Sequence, residues 1–438
     1  MLRPLLSALC LCWGLAAQAK DPPKVVSMTP ANGATIPATT SELVVTFDRD
    51  MFRGGHSICG GGKSLPKVRG RPRWKGDRTL VIPVQLQPDQ EYELSLNCSS
   101  ARKIQAKDGV RLPPTRWTFT TFPKPLRPFA EQQQRNREAL ARLEVLLTNS
   151  YAYRDRVVAD WPALLERHRG KLRDARTDRA FAVATSELLQ ATQDQHIVVG
   201  YRDSSYAPFT PLVEPLYRTF AVRRLFQLER VTPRAFRGRT DDGIAYLLIT
   251  GWQEAVDVER LLGAIAEMMD AKALVIDVRP NVGGDERIAR RVASWFVQGE
   301  KVYARHRSIG ADGLGPVVDR KVRGNDVVYD RPVAVLAGPR VMSSCEAFVM
   351  MMKQAAGVQV VGQKTRGSSG NPVVHELGNA VSVQLPSWQA LRPDGTCFEG
   401  EGIEPDVFVE CTSRDFETYD PTLEKALALL RERIKNGK

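Results

Sequence analysis

Hydrophobic positions along this chain follow three successive patterns. Between residues 21 and 122 they come in short runs: Val25–Ser27, Leu43–Phe47, Thr79–Pro83, Tyr92–Leu96 and Trp117–Thr121. Turn-forming stretches separate them, at Pro30–Gly33, Gln87–Asp89 and Asp108-Gly109. Short strands punctuated in this way predict an all-β sandwich. A Pro-rich linker is expected over 123–131. The period then changes. Ala139, Leu140, Leu143, Leu146 and Leu147, and later Phe181, Ala182, Ala184, Leu188 and Leu189, recur at helical spacing. A helical subdomain is expected over 132–200.

From 201 to 438 the reading is an α/β core. Its first part, up to Asp242, is irregular in pattern and too short to hold a separate peptide-binding module. From Gly243 strands and helices alternate. Strands are expected at Ile244–Thr250, Ala273–Val278, Val333–Ala337 and Val358–Gly362. Helices are expected at Val256–Met269, from the Asn281–Gly284 turn to Phe296, and at Cys345–Ala356. A hairpin at Val373–Leu385 turns at Gly378-Asn379, and a last helix covers Thr422–Ile434. β-branched strands alternating with helices predict a largely parallel, covered sheet.

Composition changes this picture little. Of 438 residues, 43% are hydrophobic and 26% charged, ordinary for globular domains. The formal net charge of +12 is spread along the chain, without the interleaved aromatic and basic residues of a nucleic-acid surface. The N-terminus does add something. Arg3, the apolar run Leu5–Ala17 and Ala17-Gln18-Ala19 form a signal-peptide pattern over 1–19. Leu9 stands where a small residue would precede a lipidated Cys10. No later stretch is apolar enough to cross a bilayer, so no integral membrane segment is expected after cleavage. Export implies an oxidising compartment, periplasmic or extracellular. Five cysteines would then remain, with Cys59–Cys98 and Cys397–Cys411 as the candidate pairs and Cys345 free.

The chemistry lies in four separated pieces. Ser343 follows an apolar strand and a Gly338-Pro339 turn and opens a helix. Backbone amides at a helix start favour developing negative charge, as acyl transfer requires. The same Ser-x-x-Glu pattern, Ser343 with Glu346, is also a capping box. The other pieces are Asp194-x-His196, Asp277-x-Arg279-x-Asn281-x-Gly283-Gly284 and Glu399 ahead of Gly402-Ile403-Glu404-Pro405-Asp406. Nothing resembles a metal-binding or nucleotide-binding motif, and no cofactor is expected.

In this order the pieces resemble the tail-specific (carboxy-terminal processing) and tricorn-core serine protease family. LVIDVRPNVGG at 274–284 is similar to its Asp-x-Arg-x-Asn-x-Gly-Gly signature, and SSCEAF at 343–348 to its nucleophile helix. VVGQKTRG at 360–367 resembles the strand and loop that follow, and GIEPDVFVE at 402–410 its Gly-Ile-x-Pro-Asp ending. The likeness covers about 132–438. The start of the first domain similarly resembles the bacterial Ig-like modules of exported proteins. The family resemblance implies a crotonase-like ββα core.

One departure matters. Many members carry a general-base lysine in Thr-x-Gly-Lys, and here Ser368 occupies that position; Lys364 falls four residues early. The resemblance is therefore to the branch without this lysine and without a PDZ module. It implies Ser343 as nucleophile, His196 as base and Glu399 as orienting acid, with Asp194 and Ser368 in support. Gly283, Gly284 and Ser344 would supply oxyanion amides. Glu401 competes locally with Glu399. Asp277 and Arg279 read as a structural ion pair, and Cys345 as a buried neighbour of the nucleophile. The implied substrate is a peptide or protein. Two alternatives stay open: a non-catalytic ligand-binding protein of the same fold, and an esterase or amidase.

Overall fold

The computed structural model describes residues 21–122, 127–214, 216–253 and 258–437. The expected signal peptide and residues 123–126 of the proline-rich linker lie outside these. The chain divides into two compact units, residues 1–127 and 128–438. Among the described residues no helix is long and apolar enough to cross a membrane.

The first unit is a sandwich of two sheets. One holds Val25–Thr29, Glu42–Phe47 and Thr79–Gln85; the other holds Ala34–Ile36, Thr115–Thr121 and Glu91–Leu96. Period-2 alternation sets which residues face inward: Leu43, Val45 and Phe47 are buried while their neighbours are half-exposed. Buried Trp117 donates its indole N–H to the Pro30 carbonyl at 3.0 Å. The expected Cys59–Cys98 disulfide is formed. The expected Cys397–Cys411 pair is not: both are free, as is buried Cys345. Cys397 packs beside the helical cluster, whereas Cys411 lies against Thr422 and Gln363.

The second unit opens with helices Phe129–Asn149, Arg154–Val157, Trp161–Arg173 and Asp178–Leu189. The first begins at Phe129, so the linker is shorter than expected. Asp160 and Thr177 cap the third and fourth by accepting amides of Ala163 (2.9 Å) and Ala180 (3.0 Å). The helices' core residues Leu143, Phe181 and Leu188 share one cluster with Val381, Val383 and Leu385 of the hairpin Pro372–Glu376/Val381–Pro386. The boundary expected at residue 200 also falls inside a strand, Val198–Tyr201, which pairs with Val381–Pro386.

A seven-stranded sheet forms the centre. Glu229–Thr232, Ala235–Arg239 and Ile244–Ile249 run antiparallel, then Ala273–Asp277, Val333–Ala337, Val358–Gly362 and Val407–Phe408 continue in parallel. The central strands are buried on both faces, which is why they read as unbroken apolar runs. Leu247, Ile276 and Val335 face helices Val258–Ala266, Glu286–Ala293 and Ser344–Met352. Tyr246, Val275 and Leu336 face helix Pro421–Lys435. The stretch 201–242, expected to be irregular, contributes two of these strands and helix Thr219–Leu225. Sequence patterning also missed a smaller sheet, in which Glu300–Gly310 lies between Val318–Arg323 and Trp388–Leu391. Charged residues crowd the first two strands, and much of their length is exposed.

Asp277 and Arg279 form the expected structural pair, enlarged by one member. The fully buried guanidinium bridges Asp277 (2.6 Å) and Asp420 (2.7 Å). Asp420 also caps the last helix through the Leu423 amide at 2.9 Å. Tyr246 donates to Asp277 at 2.8 Å.

Candidate active site

Strand Val333–Ala337 delivers the chain to a turn, and Ser343 is the N-cap of helix Ser344–Met352. Its backbone sits at φ 58°, ψ −133°. A β-carbon is strained there, and such strain accumulates where a side chain must be presented sharply, as on a strand–turn–helix nucleophile elbow. The Ser343 amide donates to the Ser368 carbonyl (2.7 Å) and to Glu346 Oε2 (3.2 Å).

Glu346 is completely buried and gathers the neighbouring loop. Its Oε1 accepts from Thr365 Oγ1 and the Gly367 amide, both at 2.6 Å, and its Oε2 accepts from the Ser368 amide at 3.0 Å. Burial pushes its carboxyl up to about 7, against the pull of these hydrogen bonds. The capping glutamate therefore ties the helix start to the loop where the family's lysine would stand.

His196 arrives from the other side of the chain. Gln193 in the left-handed region (φ 51°) ends the preceding helical segment. Asp194 then accepts the His196 amide at 2.8 Å and the Tyr151 hydroxyl at 3.0 Å. Gln384 donates to the His196 carbonyl at 3.1 Å. The imidazole Nδ1 lies 2.8 Å from Ser368 Oγ. Glu399 accepts the Ser369 amide at 2.8 Å. One nitrogen of His196 and one oxygen each of Asp194 and Glu399 all lie within 4.8 Å of one another. Burial lowers His196 to about 4 and raises Asp194 to about 6. Glu399 is pushed well above the carboxylate range by burial and by Asp194 beside it. Two enclosed carboxyls this close do not both carry charge cheaply.

The same three side chains offer a donor set a divalent cation could use. Hydrogen bonds already engage both Asp194 oxygens, Glu399 Oε2 and His196 Nδ1, so the cluster is satisfied as a proton-handling network.

The cleft in front of Ser343 has a volume of about 690 Å³, and Gly284, Ser344, Ser369 and Asn371 also line it. Gly283 (φ 105°) packs under Ser343: a β-carbon there would stand 2.8 Å from Ser343 Cβ. Gly284 (φ 134°) passes as closely beneath Trp252, whose carbonyl oxygen a β-carbon would meet at 2.4 Å. Only glycine fits either place. The three expected oxyanion amides are not equivalent. Gly283 donates its amide to Asn281 Oδ1 at 2.8 Å and does not line the cleft. Among the described residues, the amides of Gly284 and Ser344 have no protein acceptor. Ser344 Oγ donates to the Gly284 carbonyl at 2.9 Å, joining the two strips of backbone.

The expected site residues thus converge, but Ser343 and His196 share no direct hydrogen bond among the described residues. Ser368 lies between them. The competitors are placed elsewhere. Glu401 pairs with Arg392 (3.0 Å), Lys364 with Glu404 (2.6 Å), and Cys345 is buried with its thiol pushed well up. Sequence reasoning missed two roles. Glu346 was visible only as a cap, and the Asn281 claim on Gly283 has a recognisable signal in the Asx turn two residues long.

Residues 243–409 match the model of peptidase family S41, and residues 19–121 match that of a bacterial Ig-like domain. Over residues 243–409 the chain is thus similar to peptidase family S41, with a segment similar to a bacterial Ig-like domain ahead of it. A carboxy-terminal-processing protease of Bartonella bacilliformis is 25% identical over 197 residues, 43% of this chain and 44% of that protein. The carboxy-terminal processing protease CtpB of Bacillus subtilis is 25% identical over 171 residues, 38% of this chain and 34% of its own length. The chain thus matches less than half the length of these curated relatives. A putative peptidase from Parabacteroides merdae shares the fold, with a TM-score of 0.60 and 23% identity over 68% of this chain and 96% of that one.

Proposed function

We propose that this protein is an exported serine-type peptidase acting through an acyl-enzyme on Ser343. The observation that carries the reading is the strained Ser343 elbow, set in a cleft beside the free amides of Gly284 and Ser344. A serine hydroxyl is a weak nucleophile and needs a base. His196, kept neutral by burial, takes the Ser343 proton on the nitrogen that Ser368 does not hold. As the peptide carbonyl is attacked, the two amides receive the oxyanion. The imidazolium returns the proton to the leaving amine, and water then hydrolyses the ester by the reverse path. Asp194 and Glu399 stabilise the imidazolium. The reading rests on this chain's residues alone and invokes no cofactor.

The relatives' printed function, carboxy-terminal processing, supports peptides or proteins as substrates. The N-terminal signal pattern and the Cys59–Cys98 disulfide support a periplasmic or secreted location. A matched panel of peptides and simple esters tests the proposal. Peptide turnover that vanishes in Ser343→Ala supports it. Turnover of esters alone would replace it with an esterase, and no turnover of either class with a ligand-binding protein.

A further inference from the structure

The wall of the cleft carries a charge imbalance that the acyl-transfer machinery does not use. Four cations line it, Arg287, Arg290, Arg320 and Lys321, with three anions, Asp285, Glu286 and Asp319. Most are closed into pairs. Arg287 holds Asp285 (2.6 Å), Lys321 holds Glu300 (2.9 Å), and Arg305 holds Asp319 (2.9 Å). Arg290 and Arg320 remain, and both lean on Glu286. Arg290 reaches Oε1 at 3.0 Å, where the Tyr303 hydroxyl also donates, and Arg320 holds Oε2. One carboxylate cannot neutralise two guanidinium groups.

The surplus charge is poorly hydrated. The Arg320 side chain is 9% exposed and stacks over Trp388 (4.8 Å to the ring centre) and Tyr303 (5.6 Å). Burial draws it down to about 10, so it remains charged at neutral pH. A desolvated, half-neutralised guanidinium favours a second carboxylate, and arginine's planar fork suits that partner. Trp388 and Arg320 line the same cleft as Ser343.

Building on the peptidase reading, we propose that Arg320 and Arg290 form a subsite for a carboxylate of the bound peptide, making acidic peptides the favoured substrates. The carboxylate would come from an Asp or Glu side chain near the scissile bond or from the peptide's own C-terminus.

Calorimetric titration of the Ser343→Ala protein tests this without turnover. The probes are blocked, otherwise uncharged octapeptides with Glu or Gln scanned through each position, and the same backbone as free acid or amide. At one position, or at the terminus, the charged form is expected to bind at least about tenfold tighter than its neutral isostere. In Arg320→Gln that ratio falls to about twofold or less. Arg290→Gln, the more exposed member, gives the same direction and serves if the first variant does not fold. Charged and neutral forms binding alike at every position, or the charged form binding more weakly, would overturn the subsite. Labelling of wild-type Ser343 by a fluorophosphonate tests the peptidase reading separately, so a charge preference without labelling would reject that reading and keep the subsite.

Discussion

Ser368 Oγ lies 2.8 Å from His196 Nδ1. The same residue accepts the Ser343 amide on its carbonyl at 2.7 Å. The loop residue standing in place of the expected lysine therefore touches both the Ser343 backbone and the His196 ring. In the proposed mechanism Ser368 is a positioning residue, because its contact fixes which imidazole nitrogen is free. Ser368→Ala should lower kcat by about tenfold with KM little changed, since ring orientation is lost but the base remains. A loss as complete as that of Ser343→Ala would instead make the Ser368 hydroxyl part of the proton path.

Glu346 receives four donors and no acceptors. In Glu346→Gln the new amide must face donors, leaving buried groups unmatched at a cost of about 2–4 kcal/mol. The variant should melt roughly 5 °C or more below wild type and lose most activity. A pH test accompanies it. The folded-state value near 7 lies above the ordinary 4.5, so the folded protein binds more protons between these values and its stability falls as pH rises through them. The full term is on the order of 3 kcal/mol. Urea melts at pH 5 and pH 8 should show a smaller pH dependence in the variant. An unchanged slope would remove Glu346 as its source.

His196, lowered to about 4, is already neutral at pH 5, so it should not set the acid limb of activity. Asp194, raised to about 6, should. Below that value the cluster has gained a proton and stabilises an imidazolium less well. Thus kcat/KM is expected to climb between pH 5 and 7 with an apparent midpoint near 6, a property of the coupled cluster. Asp194→Asn should remove the limb while the protein stays folded. A limb that persists in this variant would assign it elsewhere.

Much of the fold was legible because burial writes itself into sequence. Val333–Ala337 and Ala273–Asp277 are apolar throughout because both faces are covered. Glu300–Gly310 and Val318–Arg323 were illegible for the opposite reason: exposed, charge-rich strands carry no clear period. In the site, Ser343, His196 and Glu399 could be named from motif order. The bridge through Ser368 could not, because it joins positions 172 residues apart. Nor could the Arg320–Trp388 wall, whose members sit in separate strands and acquire meaning only when paired in one sheet.

The central claim is that Ser343 is the nucleophile and His196 its base. Mass spectrometry of the intact and digested protein after treatment with a fluorophosphonate tests it most directly. One adduct is expected, on the peptide containing Ser343, absent from Ser343→Ala and formed at least about a hundredfold more slowly in His196→Ala. Labelling that persists in Ser343→Ala, or proceeds at the wild-type rate without His196, would contradict the account.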